Sequence, residues 1–388
     1  MISKLDKLGK FFVALGILII SILFFNNKTN QMFFVNYLSV FTFFISASLG
    51  ATFLILLMHL TRGGWGTVVK RVPEHLMSFL PIFALFFLPL LFGLDYIFEW
   101  LDPNVIANDY LVQKKLPYLN LPFFIIRNIF YFSVFSIVGY YYSKKSIEQD
   151  TAIGDNINKI TKSLQRKSPV ALLLMSLAVS FASFDWLMSL YSHWFSTIFG
   201  IYYFAGCIVF CLAITIITYE LLKHFKFLDQ YPNVEHFHDL SKLLYGFLIF
   251  WAYVSFSQYF LTWYANIPEF TQWYYPRLNG EWGNLFYLLI VLHFILPLFG
   301  FMSRHVKRNR FARILFSLLV IVVHYFDLRF TIYPNFTKIN EISGVEYLLI
   351  ISFTLILVPL LYFKINKFKI IPQNDPRLSE SKKLENAL

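Results

Sequence analysis

Apolar residues in this chain come in long unbroken blocks separated by short polar stretches, not in the stripes of a half-wetted helix. Crossing a bilayer core takes about 20 apolar residues in a helix. Blocks of that kind lie at roughly 8–25, 33–60, 76–100, 122–143, 169–190, 194–219, 241–265, 283–303, 311–331 and 345–363. The pattern predicts an all-α polytopic membrane protein with ten transmembrane helices. Pro81, Pro89 and Pro297 fall inside blocks and are expected to kink them, because proline removes a backbone donor. No repeat of fixed period and no water-soluble domain is visible. The expected organisation is an N-terminal end with the first span (1–30), an eight-helix core (31–335), a tenth span (336–370) and a disordered tail (371–388). Lys4, Lys7 and Lys10 before the first block resemble a signal peptide, but no small-residue cleavage site follows, so the block reads as a retained span.

Composition agrees: 57% of the 388 residues are hydrophobic and 14% charged, against about 25% charged in soluble domains. The net charge of +11 suggests nucleic acid until the charges are located. Of 33 Lys and Arg, only Lys28, Lys114, Lys115, Arg277, Arg329 and Lys338 lie on one side of the predicted topology, and Arg127 lies within a span. The remainder flank the other side, which the positive-inside rule makes cytoplasmic, both termini included. The charge is a topology device and calls for no nucleic acid, though it also suits anionic lipid. The 47 Phe and 24 Tyr accompany abundant Ile, Lys and Asn, as in AT-rich genomes, so single aromatics carry no functional weight. Cys207 and Cys211, four apart in one apolar block, match no redox or cluster spacing and read as small packing residues.

Charged groups inside a membrane are expensive and by default face a partner, water or a ligand. Most here are predicted toward the outer side: Asp95 and Glu99 one turn apart at the end of span three, Arg127 in span four, Asp185 in span five with His193 beyond it. Gln258 in span seven is followed by Asn266, Glu269 and Arg277 in the next loop, and His324, Asp327 and Arg329 lie in span nine. The inner half holds only His59, Glu220 and, near mid-depth, His293. Three explanations are open: ion pairs that lock helices (Arg127 with Asp95 or Glu99, Arg329 with Asp327), a site for a polar headgroup such as a quinone, or a proton path. His293 has no facing histidine at its depth, which argues against a b-type haem. His224, His236 and His238 read as solvated loop residues, and no metal set is expected.

Three blocks, SFASFDWLMSLYSHWFSTIFG at 180–200, QYFLTWYANIPE at 258–269 with Arg277, and HYFDLRFTIYP at 324–334, together resemble the NrfD-like membrane subunits of the polysulfide reductase family. Over residues 40–340 the chain is similar to the second, smaller ten-span subunit of alternative complex III, a bacterial quinol:cytochrome c oxidoreductase. The resemblance implies two four-helix bundles (spans two to five and six to nine) plus two flanking helices in the bacterial inner membrane. It implies, as partners, a homologous ten-span subunit, an iron–sulfur subunit, c-type cytochrome subunits and a terminal oxidase. The substrate is then quinol, menaquinol foremost, with no haem or iron–sulfur cluster in this chain. The residues it singles out are Asp185, His193, Asn266, Glu269, Arg277, His324 and Asp327. An acid expected after Glu269 is replaced by Phe270. If quinol binds this chain, the expected site lies between spans three, four, five and nine, with Asp185, His324 and Asp327 as proton acceptors and Arg127 or Arg277 holding charge; Asp95, Glu99, His193, Asn266 and Glu269 are further candidates for the quinol site or a proton path. The rivals are a proton-coupled secondary transporter, which tends to show inverted repeats and midplane breaks, and a purely structural membrane subunit.

Overall fold

The structure, a computed structural model, describes residues 2–337 and 341–385. Lys338 and the last three residues of the tail lie outside the described residues. Helices account for 82% of the described residues, and no strand occurs among them. Ten helices there are long and apolar enough to cross a membrane: α1 Leu5–Asn27, α2 Gln31–Leu60, α3 Arg71–Phe92, α4 Leu121–Gln149, α5 Asp155–Leu190, α6 Phe199–His224, α7 Val234–Ala265, α8 Gly280–Met302, α9 Arg310–Asn335 and α10 Gly344–Lys367.

Polar residues placed just before the apolar blocks start several of these helices. Asn30, Asn120, Asn233, Asn309 and Ser343 each accept a hydrogen bond from a backbone N–H of the first turn, satisfying donors the helix itself leaves open. His236, expected to be solvated, is instead buried and completes the cap of α7 with Asn233. The prolines act as predicted. In α3, Pro81 and Pro89 each sit in the first turn of a new piece, Leu80–Phe87 and Leu88–Phe92. In α8, Pro297 follows a π-helical turn, Ile290–Ile295. Pro169 and Pro359 lie inside helices that continue through them.

The two expected four-helix groups are present. In the first, α2 packs on α3 and α5, and α4 on α3 and α5; in the second, α6 packs on α7 and α9, and α8 on α7 and α9. Outside them α1 and α10 pair with each other, and α10 leans on α2. The two groups join through α2 and α6, whose apolar stretches are 83% and 78% buried, against 17% for α1. Close approach explains the small residues there. A Cβ on Gly50 would collide with the carbonyl oxygen of Cys207, and Cys211 lies beside it. Both cysteines are free and buried, filling the packing role read from their spacing.

Two expectations change at the face that carries the termini. Residues 371–385 are seated there rather than disordered. Asp375 pairs with Lys70, the Gln373 N–H donates to Asp150 Oδ1 at 3.0 Å, and buried Ser381 Oγ donates to the Trp65 carbonyl at 2.6 Å. Burial alone would raise the Asp375 pKa, but Lys70 outweighs it and holds the carboxyl below its usual range. This face is also rich in buried charge, contrary to the expected outer bias. Arg71 Nη2 lies 2.7 Å from Asp150 Oδ2, its Nη1 lies 3.1 Å from Glu74, and Glu220 pairs with Arg313. Span three begins at Arg71 rather than at 76, which brings Arg71 and Glu74 into the helix.

Replacing Gly50 with Val should force α2 and α6 apart at a cost of about 1–3 kcal/mol or more, the range for overpacking. A lowered unfolding temperature of the purified protein is the readout. Gly246→Val, at an exposed position with nothing within 4 Å of an added Cβ, should leave that temperature nearly unchanged.

Candidate functional site

The second helix group encloses a cavity of about 590 Å³. Its walls are aromatic and aliphatic side chains of α7 and α8, chiefly Tyr253, Phe256, Tyr259, Phe286, Ile290 and Phe294. Trp273 and Tyr274, from the connection between α7 and α8, close its end away from the termini. Burial raises the Tyr274 pKa, so its hydroxyl stays protonated. Tyr253 and Phe256 are 64% and 60% exposed, so the α7–α8 side of the cavity borders the outer surface of the helix bundle.

The polar end is set by Asp327 of α9, which is 4% exposed. Tyr202 of α6 donates its hydroxyl hydrogen to Oδ1, and Trp251 of α7 donates Nε1–H to Oδ2 at 3.1 Å. Among the described residues Asp327 forms no salt bridge; both its partners are neutral. Gln258 sits higher in the wall, accepting from Ser196 at 3.1 Å and donating to the Tyr274 hydroxyl at 3.4 Å. Behind Trp251 lies His293, with ring centroids 3.8 Å apart. The π-helical turn that carries His293 is a local widening of the kind often found at functional sites. His293 is fully buried, and neither ring nitrogen has a hydrogen-bond partner.

Of the three expected proton acceptors, only Asp327 lines this cavity. Asp185 belongs to the first helix group and is fully buried. Arg127 grips it with two parallel bonds, Nε to Oδ2 at 2.7 Å and Nη2 to Oδ1 at 2.9 Å. Tyr131 donates to Oδ2 at 2.9 Å, and Tyr118 stacks under the guanidinium at 3.9 Å. Such a bidentate pair fixes geometry as well as charge. His324 turns toward α2 and α6, its Nε2 lying 3.1 Å from Ser46 Oγ. Ser46 gives its own hydrogen to the Phe43 carbonyl at 2.6 Å, so the histidine nitrogen is the donor and the assignment follows from the network. Gly206 makes room for the ring, since a Cβ there would lie 2.7 Å from His324 Cε1. A single site between spans three, four, five and nine is therefore not assembled: Asp185 serves the α4–α5 contact, and the two α9 residues face different neighbours.

Of the remaining candidates, Glu99, His193, Asn266 and Arg277 hold loops and helix ends in place, and Asp95 and Glu269 are exposed. Asp95 and Glu99 do not share a helix face, because span three ends at Phe92 and Phe98 is extended between them. Asp95 is exposed. Glu99 accepts from the Ser192 N–H and hydroxyl at 2.7 and 2.6 Å. His193 Nε2 lies 2.5 Å from Asp109 Oδ2, and this hydrogen bond leads the effects that hold the Asp109 carboxyl below its usual range. Together they pin the 191–198 turn to the preceding loop. Asn266 ends α7 in the left-handed conformation, φ 47°, which asparagine tolerates better than most residues. Glu269 is exposed in the short helix that Pro268 begins. Arg277 is buried over the Trp273 ring at 3.5 Å and donates to the carbonyls of Trp273, Phe330 and Thr331. The last two lie at the negative end of α9, where a cation is favoured. Burial lowers its pKa to about 9, which leaves it cationic at neutral pH. Arg329 pairs not with Asp327 but with Glu346 of α10, since residues two apart point to different sides of a helix.

Removing one partner of a buried pair costs about 3–5 kcal/mol, whereas replacing both by apolar residues is often close to neutral. Arg127→Met is accordingly expected to lower stability strongly, and Arg127→Met with Asp185→Leu to recover most of the loss. Thermal unfolding of the solubilised chain reads both. Comparison with protein-family models and with curated proteins gives no match to this sequence.

Proposed function

We propose that this chain is an integral membrane subunit of a quinol-oxidising respiratory complex of the alternative complex III kind, in the bacterial cytoplasmic membrane with both termini inside. Quinol enters the cavity between α7 and α8. What supports the reading is the cavity itself: aromatic walls for a flat ring, a lipid-facing side for an isoprenoid tail, and one carboxylate at the polar end. Pockets for such ligands are largely apolar, with a few placed polar groups.

In this reading the quinol hydroxyl approaches Asp327, which accepts its proton as a positioned general base. Tyr202 and Trp251 orient the carboxylate by donating to one oxygen each. Gln258 and Tyr274 meet the other end of the ring from the cavity wall. Oxidation of one quinol releases two electrons and two protons. Iron–sulfur and c-type haem centres in partner chains would supply the electron acceptors, and the two protons would leave in turn through Asp327, which loses the first to water before it takes the second. The resemblance of the 180–200, 258–269 and 324–334 blocks to NrfD-like subunits supports the same assignment. The saturated Arg127–Asp185 pair favours a second reading, in which the charges of this subunit only join helices.

The two readings part at Asp327. Asp327→Asn, in a complex that still assembles, is expected to lower quinol oxidation by about 10²–10⁴-fold, the usual worth of a positioned base. Unchanged turnover would remove the cavity from the reaction and leave the structural reading. Purification of the native complex in mild detergent tests the setting: co-purifying c-type haem and iron–sulfur subunits are expected, and a chain that emerges alone and colourless overturns the respiratory assignment.

A further inference from the structure

A second cavity, of about 790 Å³, lies between α4 and α5 toward the face that carries the termini. One stripe of α5 forms its wall: Lys159, Lys162, Ser163, Arg166, Lys167, then Val170, Ala171 and Leu174. These positions recur at intervals of three and four, so they share one helix face. The stripe changes character along the axis, cationic for its first half and apolar for its second. The opposite wall matches it in order, with Tyr141 and Tyr142 of α4 level with the cations and Ile137 and Val138 level with the apolar part. At 1.5 Å per residue the stripe runs about 22 Å, close to one leaflet of a bilayer that is about 40–45 Å thick with its headgroups.

The cations are not engaged elsewhere. Among the described residues none of Lys159, Lys162, Arg166 and Lys167 forms a salt bridge, and no carboxylate lines the groove. Lys167 is held over the Tyr141 ring at 4.4 Å and donates to its hydroxyl at 3.0 Å. That hydroxyl lies 3.0 Å from Ser163 Oγ, which arranges hydroxyl and ammonium groups side by side. Arginine offers a planar fork suited to two phosphate oxygens. A lone topology signal would scatter its charges over the loop; here they line one groove that continues into apolar surface.

We propose that this groove binds an anionic phospholipid, with the phosphate at Lys162, Arg166 and Lys167 and an acyl chain along Val138, Val170 and Leu174. The occupant is a lipid rather than a free phosphate, because half the groove is apolar and only a chain fills it. The site is separate from the Asp327 cavity and independent of the redox assignment.

Native mass spectrometry of the purified chain, offered phosphatidylglycerol, phosphatidylcholine of the same chains, or inorganic phosphate, tests the proposal. Phosphatidylglycerol should be retained in preference to phosphatidylcholine. Lys162→Ala with Arg166→Ala and Lys167→Ala should weaken that retention by about 100-fold, from the attraction expected per cation. Val170→Trp keeps every cation and obstructs the acyl path, so it too should release the lipid. It changes a side chain that is 63% exposed, which keeps the test available if the triple variant fails to fold. Equal retention of phosphatidylcholine overturns the proposal. So does displacement by millimolar inorganic phosphate combined with indifference to Val170→Trp, which would make the groove a plain anion site.

Discussion

Hydrocarbon offers no partner to a charge, so every ionised side chain inside this bundle must be satisfied by another part of the chain. That constraint organises the molecule. Arg127 is matched by Asp185, Arg329 by Glu346 and Arg313 by Glu220. Arg277 is matched by carbonyl oxygens at the end of α9. Each match joins elements that are separate in sequence: α4 to α5, α9 to α10, α6 to α9, and a loop to α9. Where every donor and acceptor is used, as in the Arg127–Asp185 pair, a charge has no capacity left for chemistry. Asp327 differs, since its two partners are neutral donors and its surroundings include empty space. The contrast between charges met by an opposite charge or by carbonyls and one carboxylate at a cavity is what separates scaffold from candidate site.

Packing supplies the second condition. The cavity exists because its helix group is held open on one side and pinned on the other. The pinned side is α6 against α2, where Gly50 and Gly206 let backbone and the His324 ring approach closely. The open side is α7 against α8, where the π-helical turn and Pro297 interrupt regular packing. A helix with uniform i to i−4 bonding and large residues throughout would close that gap. The same logic accounts for the α4–α5 groove, where long cationic side chains stand outward and leave space between two otherwise tight helices.

Much of the fold is legible in the sequence, because a bilayer demands a property that hydrophobic blocks display directly. The spans and the effects of Pro81, Pro89 and Pro297 follow from local rules. The apolar run continues past Gly93 and carries the expected span three to residue 100, although the helix stops at Phe92; that difference takes Asp95 and Glu99 off a common helix face. Which charge meets which is a long-range matter, and spacing along the chain carries none of it. Glu346 does not stand out in the sequence, because it sits at the start of span ten, where a charge reads as a boundary. Tyr202 and Trp251 carry no signal in the sequence, because aromatics are too abundant here to stand out. The polarity of the tail suggests disorder, but it equally suits a segment that seats on a charged face through Lys70 and Asp150.

The motifs themselves change meaning once placed. In WYANIPE, Asn266 supplies the left-handed residue that ends α7, and Pro268 begins the next turn. That turn leads into Trp273 and Tyr274, which close the cavity, and to Arg277, which fastens the same segment to the end of α9. The block at 180–200 similarly carries one locked acid and a turn held by Glu99 and Asp109. Apart from Trp273 and Tyr274, these residues lie outside the cavity and fix where the α7–α8 connection and the 191–198 turn sit. A substitution in either motif would therefore reach the cavity through its lid, by altering how Trp273 and Tyr274 cover the space above Asp327.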